Sequence, residues 1–255
     1  MIVSVVSHGQ NAMVTPLIAQ LLTCPDVNSV ILTCNIPDMP AIEPHARLHI
    51  LHNATPTGFG ANHNAAFKTA RRQYPDATFF CILNPDITLR ENPFPLLIEH
   101  LSDADVGLVA PRIDSPAGEL EESARAFPTC FQLGLKLLGL RRHIRMTDVG
   151  GLIYPDWVAG MFMLLPVRTF EDLGGFDERF HLYYEDVDLC ARLGQASKRI
   201  ICDLRVSVIH DARRDSHRKL KYLNWHIASM RRYFVKQRLR DLESKKQIFA
   251  DKKYG

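Results

Sequence analysis

No stretch of this 255-residue chain comes near the roughly 18–20 consecutive apolar residues that a membrane-spanning helix needs, and its longest apolar runs are broken by polar side chains or proline. A bilayer-spanning protein is therefore excluded. The first seven residues carry no basic leader and no small-residue cleavage site but pass straight into a strand-like run, so no secretory signal is expected. The six cysteines (Cys24, Cys34, Cys81, Cys130, Cys190, Cys202) form no CxxC pair, and most lie inside apolar segments. That spacing argues against a zinc cluster or a disulfide framework and for a reducing, cytoplasmic setting. There is no GxGxxG, no phosphate-loop lysine and no internal repeat. Hydrophobic residues make up 46% and charged residues 23%, which is ordinary for a folded protein and excludes disorder.

What is present is an uneven charge. Residues 211–255 hold 14 Lys/Arg against 5 Asp/Glu, whereas residues 1–210 hold 17 against 23. The net charge of +3 is thus a basic tail attached to an acidic body.

Residues 2–7 (IVSVVS) are rich in β-branched side chains and stop at His8-Gly9, as a buried strand feeding a loop does. Helical spacing follows over 11–22, then strands near 30–33 and 49–51, a helix over 60–73, a strand over 78–83, a helix over 93–101 and a strand over 106–110. This alternation predicts βαβ units and a mainly parallel sheet, in which ligands sit beyond the carboxyl ends of the strands. Residues 114–154 read as an irregular excursion. Beyond it come one strand over 157–165, a helix from 184–186 to about 193, one or two strands over 200–209, and a helical tail. One catalytic unit over 1–210 is expected, with a first half to 110 and a second from 111, followed by the tail from 211 to 255.

Four places could carry chemistry. Asn84-Pro85-Asp86 ends an apolar strand, where a carboxylate can hold a hard cation, although the same triplet is ordinary turn chemistry. FHLYYEDVDL (180–189) sets Glu185, Asp186 and Asp188 at a helix start, where acidic residues also suit the helix dipole. A positioned carboxylate there could equally take a proton from an attacking hydroxyl. His210 ends a strand, either as a structural residue or as a metal ligand. NATPTGFGANHN (53–64) combines glycines with amides at a helix start, which permits close backbone approach or phosphate binding and otherwise is a tight loop.

Taken in order, SVVSHG, NATPTGFGANHNAAF, FCILNPDITL, WVAGMFMLLPVRTFEDLGGFDERFHLYYEDVDLCARL and VSVIH resemble the family 2 glycosyltransferases, particularly their rhamnosyltransferase-like members. The matched segments span residues 2–210. The resemblance implies an α/β fold of GT-A type, a mixed and mainly parallel sheet flanked by helices, with a C-terminal basic helical extension. It implies inverting transfer of a sugar, rhamnose in the first instance, from a nucleoside diphosphate donor to a saccharide or lipid-linked acceptor in bacterial surface polysaccharide synthesis. Asp186 falls on the catalytic base, and Asp86 with His210 on the residues for a divalent cation, Mn or Mg. Ser7, Asn35, Gly58, Gly60, Asn64, Asn84 and Asp86 fall near the donor, while Trp157, Tyr184 and Glu185 fall on the acceptor side. The chain departs from the pattern at Asn84, Cys34 and His8, where the family carries an acid, an acid and an aromatic. A sugar nucleotidyltransferase and an inactive membrane-bound module are the rival readings. The first should carry a basic glycine-rich loop after residue 7, and SHGQNAM is not basic.

The tail interleaves Arg213, Arg214, Arg218, Lys219, Lys221, Arg231, Arg232, Lys236, Arg238 and Arg240 with Tyr222, Leu223, Trp225, Tyr233, Phe234 and Leu239. Such a helix suits the surface of an anionic membrane, at the inner face of the cytoplasmic membrane here, or packs its apolar stripe on the catalytic unit. Nucleic acid is not an expected partner, because the body is acidic and no nucleic-acid module is present.

Overall fold

The computed structural model describes residues 1–37, 40–129, 147–211 and 220–254. Cys130 and the tail cations Arg213, Arg214, Arg218 and Lys219 lie outside the described residues, as does part of the 114–154 excursion. The elements run β1 (Ile2–Ser7), α1 (Asn11–Thr23), β2 (Ser29–Cys34), β3 (Leu48–His52), α2 (Phe59–Gln73), β4 (Phe79–Leu83), β5 (Ile87–Leu89), α3 (Phe94–His100) and β6 (Val106–Asp114). They continue with β7 (Ala124–Arg125), β8 (Leu152–Ile153), β9 (Trp157–Val158), β10 (Phe162–Pro166), α4 (Val167–Asp172), α5 (Glu185–Gln195), β11 (Arg199–His210) and α6 (Leu220–Tyr254).

Among the described residues nine strands form one sheet in the order β3-β2-β1-β4-β10-β6-β11-β5, with β8 also on β11. Strands β3 to β4 are mutually parallel, and β10 enters antiparallel between β4 and β6. The sheet is the mixed, helix-flanked α/β architecture expected of the GT-A type. Its strands read as continuous apolar runs because both faces are covered. Val3, Val5, Leu32 and Leu83 meet Leu17, Ile18, Phe94 and Leu97 of α1 and α3. Ile2, Ile31, Phe80 and Ile82, one step out of phase, meet Phe67 of α2, Phe170 of α4 and Leu189 of α5.

Several elements differ from the pattern read in the sequence. The single strand expected over 157–165 is two strands, because Ala159 N–H turns away to the carbonyl of Ser123 (2.8 Å) and the chain re-enters the main sheet only at Phe162. Asn84-Pro85-Asp86 does not end the sheet there, since Ile87–Leu89 returns as β5 along β11. Helix α4 carried no periodicity long enough to read. Residue 110 lies inside β6, and β10 lies between β4 and β6, in keeping with the one mixed sheet that the resemblance implies for both halves.

Helix α6 docks on the catalytic unit. Tyr233, 3% exposed, packs with Phe180, Tyr184, Val187 and Ala191. Among the described residues no helix is long and apolar enough to cross a membrane.

The aromatic trio Phe67, Phe80 and Phe170, with ring centroids 4.9 Å apart pairwise, centres the α2 face of the core. Phe80→Ala is expected to cost about 3–5 kcal/mol through lost burial and the cavity left behind, read as a lower urea midpoint with an unchanged slope.

Candidate active site

The rim of the site follows from how β4 ends. Leu83 pairs with Phe162, and the next amide, Asn84 N–H, donates to the carbonyl of Met161 (2.9 Å). The adjoining Gly160 N–H donates to Asp186 Oδ2 (3.1 Å). On the other side, Asp86 C=O accepts from Asp211 N–H (2.9 Å), and the ladder sets His210 opposite Ile87. Asp86, Asp186 and His210, up to 124 positions apart in sequence, therefore lie around one edge of the sheet, linked by a short run of backbone contacts.

His210 sits between two carboxylates. Its Nδ1 is 2.7 Å from Glu121 Oε2, and its Nε2 faces Asp86 Oδ1 at 3.4 Å. Asp86 Oδ1 is buried without a hydrogen-bond partner. An orphaned carboxylate oxygen beside an imidazole nitrogen fits a divalent cation, with the second ring nitrogen held by an outer carboxylate as metal-binding histidines usually are. Among the described residues no group of three or more His, Cys, Asp or Glu is arranged around a common point. The protein thus offers two donors, and a diphosphate and water would complete the shell. Burial pulls the His210 imidazole down, but Asp86 and Glu121 outweigh it and hold it above its ordinary value. Glu121 escaped the sequence reading because it lies in the irregular stretch after β6. Its N–H bond to Ile113 C=O (2.9 Å) folds that stretch back over the strand end.

The acidic pair at the start of α5 has a different electrostatic setting. Asp186 accepts from Gly160 N–H and from Val187 N–H (2.8 Å), bonds that favour the charged form. Burial is the larger effect and raises its carboxyl above the ordinary carboxylate range. Glu185 is 4% exposed, and its Oε2 has no hydrogen-bond partner. Burial, followed by the neighbouring Asp186 charge, drives it well above its usual value. Two adjacent carboxyls therefore share one confined space, and a raised Asp186 is a stronger base than an exposed aspartate.

The backbone that delivers this pair is strained. Tyr183 (φ 68°) and Tyr184 (φ 67°) are both left-handed although neither is glycine. Each such residue costs roughly 1–3 kcal/mol and persists only where its surroundings enforce it, a condition met mainly at functional sites. Nothing in the residue types foretold this turn.

On the donor side, Ser7 Oγ accepts from Gln10 N–H (3.3 Å) at the mouth of α1. Asn35 locks the following loop to the end of β2: its Oδ1 accepts from Thr57 N–H and Asn53 Nδ2 (both 2.8 Å), and its Nδ2 donates to Thr57 C=O (3.0 Å). Packing requires the two glycines of that loop. A Cβ on Gly58 would lie 2.6 Å from His181 C=O, and one on Gly60 would lie 2.6 Å from Phe176 Cβ. Asn64 is spent in the same way, donating to Phe176 C=O and Glu178 (both 2.9 Å) and accepting from Phe176 N–H. These bonds tether the GGFDE turn to α2. Trp157 donates its indole N–H to Ala126 C=O (2.9 Å) and lies under the Arg125 guanidinium, whose charge also reaches Asp186.

A sheet of this order, with acid-rich loops at one rim, is the scaffold of a GT-A glycosyltransferase. No protein-family model matches the chain. It is 28% identical over 193 residues to the rhamnosyltransferase WbbL of Escherichia coli K12, covering 71% of this chain and 72% of that protein. It is 26% identical over 174 residues to the N-acetylglucosaminyl-diphospho-decaprenol L-rhamnosyltransferase of Mycobacterium tuberculosis, covering 61% of this chain but only 56% of that protein. The fold superposes on GalNAc-T7, solved with UDP, GalNAc and Mn2+, with a TM-score of 0.63 at 12% identity, over 83% of this chain and 43% of that one. The chain is a glycosyltransferase of the GT-A fold, and its likeness is to the rhamnosyltransferases of family 2.

The raised Glu185 gives a pH test. A carboxyl whose folded value exceeds its unfolded value favours folding below the unfolded value, and that advantage is lost as pH rises through the folded value. Glu185→Gln removes the burial of charge, so its melting temperature should exceed that of the parent by several degrees near pH 8 and converge with it near pH 5. A parallel offset at all pH values would count against the assignment.

Proposed function

We propose that the chain transfers a sugar, rhamnose first among the choices, from a nucleoside diphosphate to a saccharide or lipid-linked acceptor with inversion, in the assembly of a bacterial surface polysaccharide. The observation that carries this is the meeting of the Asp86–His210 pair and Asp186 around one rim, one able to face a diphosphate and the other an acceptor hydroxyl. The relatives named above support the sugar and the acceptor class. In this reading the acceptor oxygen attacks the anomeric carbon from the face opposite the diphosphate. Asp186 takes the hydroxyl proton as the bond to the diphosphate breaks. Glu185 and Tyr184, with Trp157 beyond Arg125, shape the acceptor side. A bound Mn or Mg ion would neutralise charge building on the departing diphosphate, held by Asp86 and His210. Asn84 stands where the resemblance expects an acid, so the second carboxylate beside that pair is Glu121, 2.7 Å from His210 Nδ1.

A ligand that binds only the folded protein raises its melting temperature. Thymidine diphosphate rhamnose with Mn is expected to do so, with the Mn-dependent part lost in Asp86→Asn and His210→Ala. Asp186→Asn should keep the thermal shift but lose transfer by roughly a hundredfold or more. Near-normal turnover in that variant would remove Asp186 from its role.

The same reading places the acceptor at an anionic membrane surface, on the cytoplasmic side. Leu223, Ile227, Val235 and Leu239 are between 42% and 61% exposed, on the side of α6 turned away from the catalytic unit. Lys221, Arg231, Arg232 and Arg238 are exposed among them, and residues 220–240 contain no acid. Each cation near an anionic bilayer contributes on the order of 1 kcal/mol. The protein should float with phosphatidylglycerol vesicles at low salt and not with phosphatidylcholine vesicles. Arg231→Glu with Arg238→Glu should abolish flotation, and protein remaining in the soluble fraction with both vesicle types would refute the contact.

A further inference from the structure

The left-handed pair Tyr183 and Tyr184 contains no glycine, asparagine or aspartate to ease it, so the conformation must be imposed from outside the turn. What surrounds it comes largely from α6. His226 packs edge-on against both Tyr183 (5.3 Å between ring centroids) and Tyr184 (5.5 Å), and Tyr233 packs against Tyr184 (5.5 Å). Ser229 Oγ–H donates to the carbonyl of Leu182 (2.9 Å), the residue just before the pair. Lys236 Nζ lies 2.7 Å from Asp188 Oδ1 and 2.7 Å from Asp177 Oδ2, and Arg240 reaches Asp188 at 3.2 Å. Asp188, fully buried, is two positions beyond Asp186 in the same first turn of α5.

Ser229, Tyr233, Lys236 and Arg240 follow helical spacing of four, three and four, so they form one stripe. That stripe grips the residue before the strained pair, the pair itself, and the first turn beyond it. We infer that this stripe of α6 is a positioning element of the active site, and that Lys236, through Asp188 and Asp177, positions the first turn of α5 that carries Asp186. The basic tail is then part of the catalytic apparatus on its inner side. Two cations of α6 converge on a carboxylate already paired with Arg192 at 2.9 Å, so the helix fixes this turn by charge as well as by apolar contact.

The inference adopts Asp186 as the base only for its kinetic consequence. Its structural part is tested without any donor, by hydrogen–deuterium exchange of the full-length chain. Lys236→Met is expected to speed exchange over residues 181–190 at least tenfold while the β1 and β4 amides keep their parent rates, and Lys236→Arg should restore protection. Unchanged exchange over 181–190, or a rise shared equally with β1 and β4, would overturn it. With thymidine diphosphate rhamnose as donor, Lys236→Met should lower kcat at least tenfold and leave the donor KM within twofold. A kcat equal to the parent's alongside faster local exchange would overturn the positioning role. If the parent does not turn this donor over, the donor assignment fails, and the exchange measurement still decides on α6.

Discussion

The site depends on the end of β4. At Leu83 the strand still has parallel β1 on one side and antiparallel β10 on the other, and one residue later the amide of Asn84 closes on Met161. Because β10 runs antiparallel there, its N-terminal end lies beside the C-terminal end of β4. The loop that enters β10 can therefore hand Gly160 N–H to Asp186. A parallel neighbour would have brought the opposite end of its strand to that rim. The usual placement of ligands beyond the carboxyl ends of parallel strands is extended here by one reversed strand, which lets the second half of the chain contribute to a crevice opened by the first.

Two charge arrangements of opposite sense are set along this rim. At Asp86 and His210 the groups are of unlike sign, and the imidazole is held between carboxylates that favour its cation. At Glu185 and Asp186 the groups are of like sign, in a space where burial penalises charge on either. Under the proposed function the first arrangement would hold a cation, and the second keeps a carboxyl above the ordinary carboxylate range. The proposed transfer, which would expel a nucleoside diphosphate and take a proton from an alcohol, would use both at opposite ends of the same bond exchange.

Much of the scaffold was legible in the residues. The strands near 2–7, 30–33 and 78–83 and the helices over 11–22 and 60–73 could be read because both faces of this sheet are buried, which writes each strand as an unbroken apolar run and each helix as a stripe. Asp86, Asp186 and His210 could be named from type and position at strand and helix ends. Their juxtaposition was expected only through the resemblance, since it arises from pairings such as His210 with Ile87 and Phe162 with Leu83 that no local pattern encodes. Glu121 was unreadable because an irregular loop has no period, and the two-strand break at Ala159 because a partner 36 residues away decides it. Gly58, Gly60 and Asn64 could be picked out by type at a helix start. Their packing role, the close approach of His181 and Phe176, is visible only once residues more than 110 positions away are set beside them.

The charge asymmetry of the chain finds part of its explanation at the same place. The body is acidic and the tail basic, and where α6 meets α5 the two signs interlock: Asp177 and Asp188 receive Lys236, Arg240 and Arg192. Asp188 has no solvent exposure, so it must be paired, and removal of one partner would leave the others to compensate unevenly. Lys221, Arg231, Arg232 and Arg238 of the same helix are exposed, and residues 220–240 contain no acid. In the proposed membrane contact the exposed cations would meet the anionic surface, while Lys236 and Arg240 hold Asp188 on the inner side of the same helix.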